Sequence, residues 1–318
     1  QSSFIPDRLL HREEQTQQLA NILAPALRLE RPSNIFIYGK TGTGKTSTTR
    51  LTTNKLQEVA QKENIPIQII YINCKLKRTA DTEYRLMAEL CKELGKEVPP
   101  TGLPTQEIYR IFLSALTKQN KTFIIILDEI DQLVKKTGDG ILYSLMRLNE
   151  ETKGSQVSLI VISNDLTFID HVDPRVRSSL SEEEMIFPPY NAHQIQHILK
   201  HRADIAFKPN IIEQGVIEKC AALAAREHGD VRRALELLRV AGEIAERSNS
   251  PKISIPHLDE ADEKIDKDRF LDIITTQPKQ HQLVLHTILS IQPRNSTIFT
   301  GEIYNLYKDL TTKSGLRP

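Results

Sequence analysis

The chain has 318 residues, a length that at roughly 150 residues per domain suits two domains or three small ones. Its 39% hydrophobic and 26% charged residues suffice for a buried core and exclude wholesale disorder. No apolar run approaches the ~18 residues of a membrane helix, so no membrane partner is expected. The 42 basic and 41 acidic side chains leave a formal charge of +1, which lacks the strong basic excess of a dedicated nucleic-acid binder.

The chain opens on Gln1 and not on methionine, from which a longer native chain is expected. Three cysteines, Cys74, Cys91 and Cys220, are odd in number and far apart; they fit neither a disulfide framework nor a zinc knuckle and point to a reducing, intracellular setting. The first strand is expected at Ile35–Tyr38. It runs into Gly39-Lys40-Thr41-Gly42-Thr43-Gly44-Lys45-Thr46, which satisfies G-x-x-x-x-G-K-[ST], and a helix over Thr46–Gln61 follows. Strand before and helix after are the context that gives this pattern meaning. Glycines let successive N–H groups turn inward toward phosphate oxygens, and the helix N-terminus adds its positive end. Lys45 would reach the β- and γ-phosphates of ATP or ADP, and the Thr46 hydroxyl would ligate Mg²⁺.

A second strand is expected at Ile67–Asn73 and a third at Phe123–Leu127, which ends in Asp128-Glu129. Continuous apolar runs of this kind mark parallel strands covered on both faces, and their carboxyl ends are where open α/β sheets bind ligands. Asp128, 83 residues beyond Lys45, would hold magnesium, and Glu129 would orient and deprotonate an attacking water. After a helical stretch over Asp139–Asn149 comes a fourth strand, Val157–Ser163, followed by Asn164, a neutral amide able to bond a γ-phosphate or the lytic water without repelling it. Strand alternating with helix predicts an α/β fold with a parallel sheet.

Asp173-Pro174-Arg175-Val176-Arg177 places arginines in a proline-led segment, and Met185–Phe187 reads as a fifth strand. Pro188-Pro189 then end regular structure. From Asn191 to about Lys267 the periodicity is helical throughout, including Cys220–Arg226 and Asp230–Arg247; Asp230 caps the latter and puts Arg232 in its first turn. Two more amphipathic segments are expected near Gln280–Ile291 and Gly301–Thr312. His193, His197 and His201 recur every four residues, but no fourth zinc ligand is evident, and they read as an exposed polar stripe opposite Ile195, Ile198 and Leu199.

Taken together these residues resemble the AAA+ ATPases, an α/β base followed by a helical lid: glycine loop, Asp128-Glu129, Asn164 as first sensor, an arginine-finger segment at Arg175, and Arg232 as second sensor. Within that superfamily the chain is similar to the archaeal origin-recognition and cell-division-control type replication initiators. The matches are Ile37-Tyr38-Gly39 with Thr41–Thr46, Leu127–Asp131, Asp173–Val176 with Ser178-Ser179-Leu180, Phe187–Ala192, and Gly229-Asp230 with Arg232–Leu235. The resemblance implies a base over residues 1–189, a lid over 190–267, and the start of a winged-helix domain over 268–318 whose recognition helix and wing would lie past Pro318. It implies that Gly42, Thr43, Gly44, Lys45, Thr46 and Ser47 bind the phosphates. Tyr190 at the hinge and Arg202 on the first lid helix would line the nucleotide, with Arg12, at the end of a Pro6–Arg12 segment, against the adenine. An inserted element near Lys75–Lys96 would touch duplex DNA through Lys75, Lys77, Arg78 and Arg85, whose stretch Lys75–Arg85 carries four basic against two acidic residues.

The expected function is ATP-controlled binding of double-stranded origin DNA, with slow hydrolysis as a switch. The expected partners are a second initiator subunit and the replicative helicase, and the expected place is the cytoplasm, at the nucleoid. A clamp-loader-like or remodelling AAA+ ATPase remains open as the alternative, as does a scaffold with a vestigial site, against which the intact Lys45, Asp128 and Glu129 count. Arg175 or Arg177 could act on a neighbouring subunit. The small net charge follows if most of the chain is ATPase base and lid, since residues 268–318 carry only six basic and four acidic side chains.

Overall fold

The computed structural model describes residues 8–75, 82–99, 102–152, 154–291 and 299–316. Five parallel strands, β1 (Ile35–Tyr38), β2 (Ile67–Asn73), β3 (Thr122–Asp128), β4 (Gln156–Ser163) and β5 (Glu183–Ile186), form one sheet in the order β2-β3-β4-β1-β5. Every residue of β3 is buried, because helices cover both faces of the central strands. The period-two alternation of a strand sorts its side chains between two cores. On one face Ile35, Ile37, Ile124, Ile126, Ile160 and Ile162 pack with Leu19 and Leu23 of α1 (Glu13–Leu23) and with Leu56 and Ala60 of α2 (Lys45–Lys62). On the other, Phe36, Ile125, Leu127 and Val161 meet α3 (Glu83–Glu93), α4 (Thr105–Thr117), α5 (Ile130–Thr137), α6 (Gly140–Met146), α7 (Leu148–Glu151) and α8 (Pro174–Leu180). Each fully buried Ile, Leu or Phe contributes about 1.5–3 kcal/mol.

Register decides where the loops emerge. Tyr38 at the end of β1 lies opposite Ser163 of β4, and Asp128 at the end of β3 lies opposite Ile162. Gly39, Glu129 and Asn164 therefore leave the sheet side by side at its carboxyl edge. That edge is a topological switch point, because β1 sits between β4 and β5 while β2 lies at the far side of β3.

Past the prolines, α9 (Ala192–Ala206) starts with a reciprocal cap in which Gln194 N donates to Asn191 Oδ1 at 2.9 Å and Asn191 N to Gln194 Oε1 at 3.0 Å. Then come α10 (Val216–Arg226), α11 (Val231–Arg247), α12 (Ile255–Thr276), α13 (Lys279–Ile291) and α14 (Thr300–Lys313). The chain divides into two compact units, one of residues 1–208 and 217–235, the other of 209–216 and 236–318. In the second unit, Ile212 and Ile253 form a lone parallel bridge, a detail that helical periodicity alone does not disclose, and α13 packs on α14.

Two expected elements differ. The helix over Asp139–Asn149 is broken at Arg147, whose ψ of −2° ends α6 before α7 begins. The fifth strand begins two residues earlier than Met185 and stops at Ile186, although Phe187 N still donates to Tyr38 O at 2.9 Å. His193, His197 and His201 are exposed while Ile195, Ile198 and Leu199 are buried, as their spacing predicts.

Candidate active site at the carboxyl edge of the sheet

The glycine loop joins β1 to α2 and needs its glycines for space as well as for torsion. Gly42 has φ 74°, and a Cβ there would lie 1.7 Å from Asp230 Oδ1; Gly44 has φ 92°, and its Cβ would lie 2.9 Å from the Tyr190 hydroxyl. L-residues disfavour that left-handed region. Thr43 is fully buried and closes the loop by donating from Oγ1 to Lys40 O at 2.8 Å, while Ser47 is half-buried one position past Thr46.

Lys45 opens α2 and is only 5% exposed. Its ammonium donates to Gly39 O at 2.7 Å, Lys40 O at 2.9 Å and Asn164 Oδ1 at 2.8 Å, so the glycine loop and the end of β4 meet at one nitrogen. Burial pushes this ammonium down to about 8; Asp128 pulls the other way, Arg232 adds to the depression, and Asp131 and Glu129 oppose it. Arg232 therefore lies within electrostatic reach of Lys45. Its position is set by Asp230, which caps α11 by accepting from Arg232 N at 2.8 Å.

Asp128 is 2% exposed and accepts two hydrogen bonds on one oxygen, Oδ2: from Thr46 Oγ1 at 2.8 Å and from Tyr71 OH at 2.6 Å. Glu129 follows with φ 55°, a left-handed torsion rare for a non-glycine residue, and its carboxylate pairs with Lys75 Nζ at 3.5 Å. Asp131, 2% exposed, braces the end of β4 by accepting from Asn164 N at 3.3 Å and Ser163 Oγ at 3.4 Å. Burial, with the three acids adding to it, raises the Cys74 thiol to about 12, which disfavours the reactive thiolate.

Beside the loop, Arg12 is 3% exposed and lies 3.8 Å over the Tyr190 ring, with Nε donating to Thr43 O at 2.9 Å and a second nitrogen donating to Pro188 O. Burial lowers its pKa, and Tyr190 opposes. Arg202 is half-buried on α9 and burial lowers its pKa too.

The cluster thus joins Lys45, Thr46, Asp128, Glu129, Asn164 and, through charge, Arg232. It does not include Arg175, which is exposed, bonds Asp173 Oδ1 through Nε at 3.3 Å and sits 5.5 Å over Tyr143; Arg177 pairs with Asp170 at 3.4 Å. Lys75 is turned toward Glu129, Arg85 is exposed on α3, and Lys77 and Arg78 lie outside the described residues, as does Pro6. Tyr71, which donates to Asp128, Arg50, whose guanidinium lies 3.8 Å over the Tyr71 ring, and Asp131, which accepts from Asn164 N, adjoin this cluster without having been singled out as candidate site residues from the sequence. The signal for two of them was present: Tyr71 and Asn73 are the polar members on one face of β2, and Asp131 stands one helical turn from Asp128.

The comparisons follow this architecture along the chain. Residues 28–167 match the AAA domain, 196–263 the Cdc6 AAA+ ATPase-type lid domain, and 272–318 the CDC6 C-terminal winged helix domain. The chain is 50% identical over 321 residues to the ORC1-type DNA replication protein of Pyrococcus abyssi, covering 99% of this chain and 76% of that one. The chain belongs to the ORC1-type DNA replication proteins. The ORC1-type protein 1 of Methanosarcina acetivorans is 49% identical over 311 residues, 97% of this chain and 74% of that relative. Among solved structures, the ORC1 protein of Aeropyrum pernix in complex with DNA superposes with a TM-score of 0.89 at 43% identity, over 99% of this chain and 81% of that one. Cdc6p of Pyrobaculum aerophilum shares the fold, with a TM-score of 0.72 at 23% identity over 100% of this chain and 84% of that one. As an ORC1-type protein the chain is a nucleotide-binding AAA+ ATPase and a DNA replication initiator. No helix among its described residues is long and apolar enough to cross a membrane.

Proposed function

We propose that this ORC1-type chain binds double-stranded origin DNA under the control of ATP, and that slow hydrolysis resets it. The observation that carries the reading is the convergence of Lys45 and Asn164 at 2.8 Å and of Thr46 and Asp128 at 2.8 Å on one sheet edge. Its setting is a chain 43% identical to an ORC1 protein solved with DNA. Gly42, Thr43, Gly44 and Ser47 present loop and helix N–H groups to phosphate oxygens. Lys45 offsets the β/γ charge, and Arg232 reaches the γ-phosphate from the start of α11. Arg12, Tyr190 and Arg202 receive the base and ribose. The Thr46 hydroxyl and Asp128 carboxylate are neighbouring hard oxygen donors of the kind that would hold Mg²⁺, which when bound would neutralise developing phosphate charge. Asn164 orients the lytic water and Glu129 takes its proton.

Pairing of Glu129 with Lys75 supports a slow turnover, since the ion pair has to open before the carboxylate can turn to a water. Residues 1–189 serve as base, 190–267 as lid and 268–318 as the start of the winged-helix domain. Lys75, Lys77, Arg78 and Arg85 contact DNA phosphate. Arg175, exposed and outside the cluster, acts on the nucleotide of a second initiator subunit, and the assembly recruits the replicative helicase at the nucleoid, in the cytoplasm. The test compares origin and scrambled duplex at one salt concentration, with ATP, with ADP and with Lys45→Ala. Preference for origin duplex that depends on nucleotide is the expected result. Equal affinity for both duplexes, or brisk turnover without DNA, would replace this reading by a clamp-loader-like or remodelling ATPase.

A further inference from the structure

Asp128 is gripped from two sides at the same atom. Thr46 Oγ1 and Tyr71 OH both donate to Oδ2, at 2.8 and 2.6 Å, and Oδ1 takes no hydrogen bond among the described residues. A carboxylate so held cannot rotate freely about χ2, and Oδ1 is the oxygen left for a further partner. The phenol is itself fixed. Arg50, one helical turn beyond Thr46 on α2, lies with Cζ 3.8 Å over the Tyr71 ring. A guanidinium on the ring face draws electron density from the π-system and strengthens the hydroxyl as a donor.

Topology explains why this residue and no other is available. Tyr71 pairs with Ile126 and Asn73 with Asp128 across the β2–β3 ladder, and Tyr71 packs with the core that holds Ile124 and Ile126, the face that Asp128 shares by alternation. A tyrosine two residues before the strand end spans the remaining distance to the carboxylate. The helix carrying Thr46 also carries Arg50, so α2, β2 and β3 are locked together around one oxygen.

We propose that Tyr71, steadied by Arg50, is a positioning residue that aims Asp128 Oδ1 at the hydration shell of the nucleotide-bound divalent cation and so sets the Mg²⁺ requirement of nucleotide binding. The proposal rests on the ATP–Mg²⁺ reading of the site given above. It differs from a packing role, because the ring would fill the same space without its hydroxyl. Outer partners of metal-holding groups commonly change metal affinity by about 10- to 100-fold.

The experiment titrates Mg²⁺ against binding of a fluorescent ATP analogue to the whole chain, for wild type, Tyr71→Phe and Arg50→Met, and repeats ADP binding in EDTA. For Tyr71→Phe the half-saturating Mg²⁺ should rise on the order of tenfold. ADP affinity in EDTA should stay within about twofold, and turnover at saturating Mg²⁺ should largely recover. Arg50→Met should shift the Mg²⁺ requirement in the same direction by less, and it decides the matter if Tyr71→Phe does not fold. An unchanged Mg²⁺ midpoint in the folded variants, or a loss of turnover that saturating Mg²⁺ does not restore, would overturn the assignment. Wild type that binds the analogue equally with and without Mg²⁺ would instead overturn the underlying ATP–Mg²⁺ reading.

Discussion

Lys75 Nζ lies 3.5 Å from the carboxylate of Glu129, so the first cation of the segment expected to meet DNA is paired with the residue expected to act as base. The lysine is 67% exposed and the glutamate 16%, which makes the pair accessible to competing phosphate. Lys75→Ala should raise basal ATP hydrolysis by about two- to threefold, in keeping with the modest strength of exposed pairs. It should leave ATP affinity unchanged. Raising salt should bring wild type toward the variant, because screening loosens the pair. Steady-state phosphate release at low and high salt checks this; identical rates at both would show that the pair does not restrain Glu129.

Binding and chemistry should separate between two other substitutions. Lys45→Ala removes the ammonium that joins Gly39, Lys40 and Asn164, and ATP binding should be lost. Glu129→Gln keeps shape and hydrogen bonding but cannot take a proton; binding should persist while turnover falls by about 10²- to 10⁴-fold. Nucleotide retention on filters alongside single-turnover hydrolysis distinguishes the two, and wild-type turnover in Glu129→Gln would remove that residue from the chemistry.

The depressed pKa of Lys45, about 8, gives ATP binding a pH dependence whose sign can be worked out. Polyphosphate stabilises the ammonium, so the pKa is higher in the complex than in the free protein. Below pH 8 both forms are protonated and affinity is flat. Above it the free protein loses its proton first, binding must take one up, and affinity falls by up to about tenfold per pH unit. Calorimetry in two buffers of different ionisation enthalpy should record proton uptake at pH 8.5 and little at pH 6.5, with Lys45→Arg showing neither effect.

Gly42 and Asp230 form a steric pair. A methyl group at 42 would stand 1.7 Å from Asp230 Oδ1 with φ at 74°. Gly42→Ala should therefore abolish nucleotide binding and lower the melting temperature. Asp230→Ala should cost about 1 kcal/mol through the lost cap. Adding Asp230→Ala to Gly42→Ala should restore part of the melting temperature, the torsional strain remaining. Strict additivity in that cycle would mean that the two residues do not meet.

Much of this site is written in short-range pattern. The central strands announce themselves as unbroken apolar runs because both faces are buried, and Gly39–Thr46 carries its own geometry, since the φ values at Gly42 and Gly44 suit glycine and little else. Asp128, Glu129 and Asn164 follow from lying just past such runs. What local pattern does not disclose is register. That Asn73 stands opposite Asp128, which brings the Tyr71 hydroxyl to Oδ2, depends on pairing residues 55 apart in the sequence. The break at Arg147 is equally silent, as Asp139–Asn149 has uninterrupted helical periodicity and only the tertiary packing of α6 and α7 decides where it bends. Lys75 shows the same limit from the other side: a cation read as outward-facing is turned by its neighbours onto an acid.

The position of β1 has a bearing on biosynthesis. Its sheet neighbours are β4 and β5, and Ile35 lies opposite Ile160 and Glu183. A ribosome that has released the glycine loop has yet to make the strands that flank it, so the nascent chain holds a phosphate loop with no sheet to present it. Closing that ladder is a long-range event, slow by comparison with forming α2. A nucleotide held by that loop would therefore reward folding fully only after the polypeptide has emerged past Ile186, and a translational pause before that point would leave the early apolar strand Ile35–Tyr38 exposed to chaperones or to aggregation.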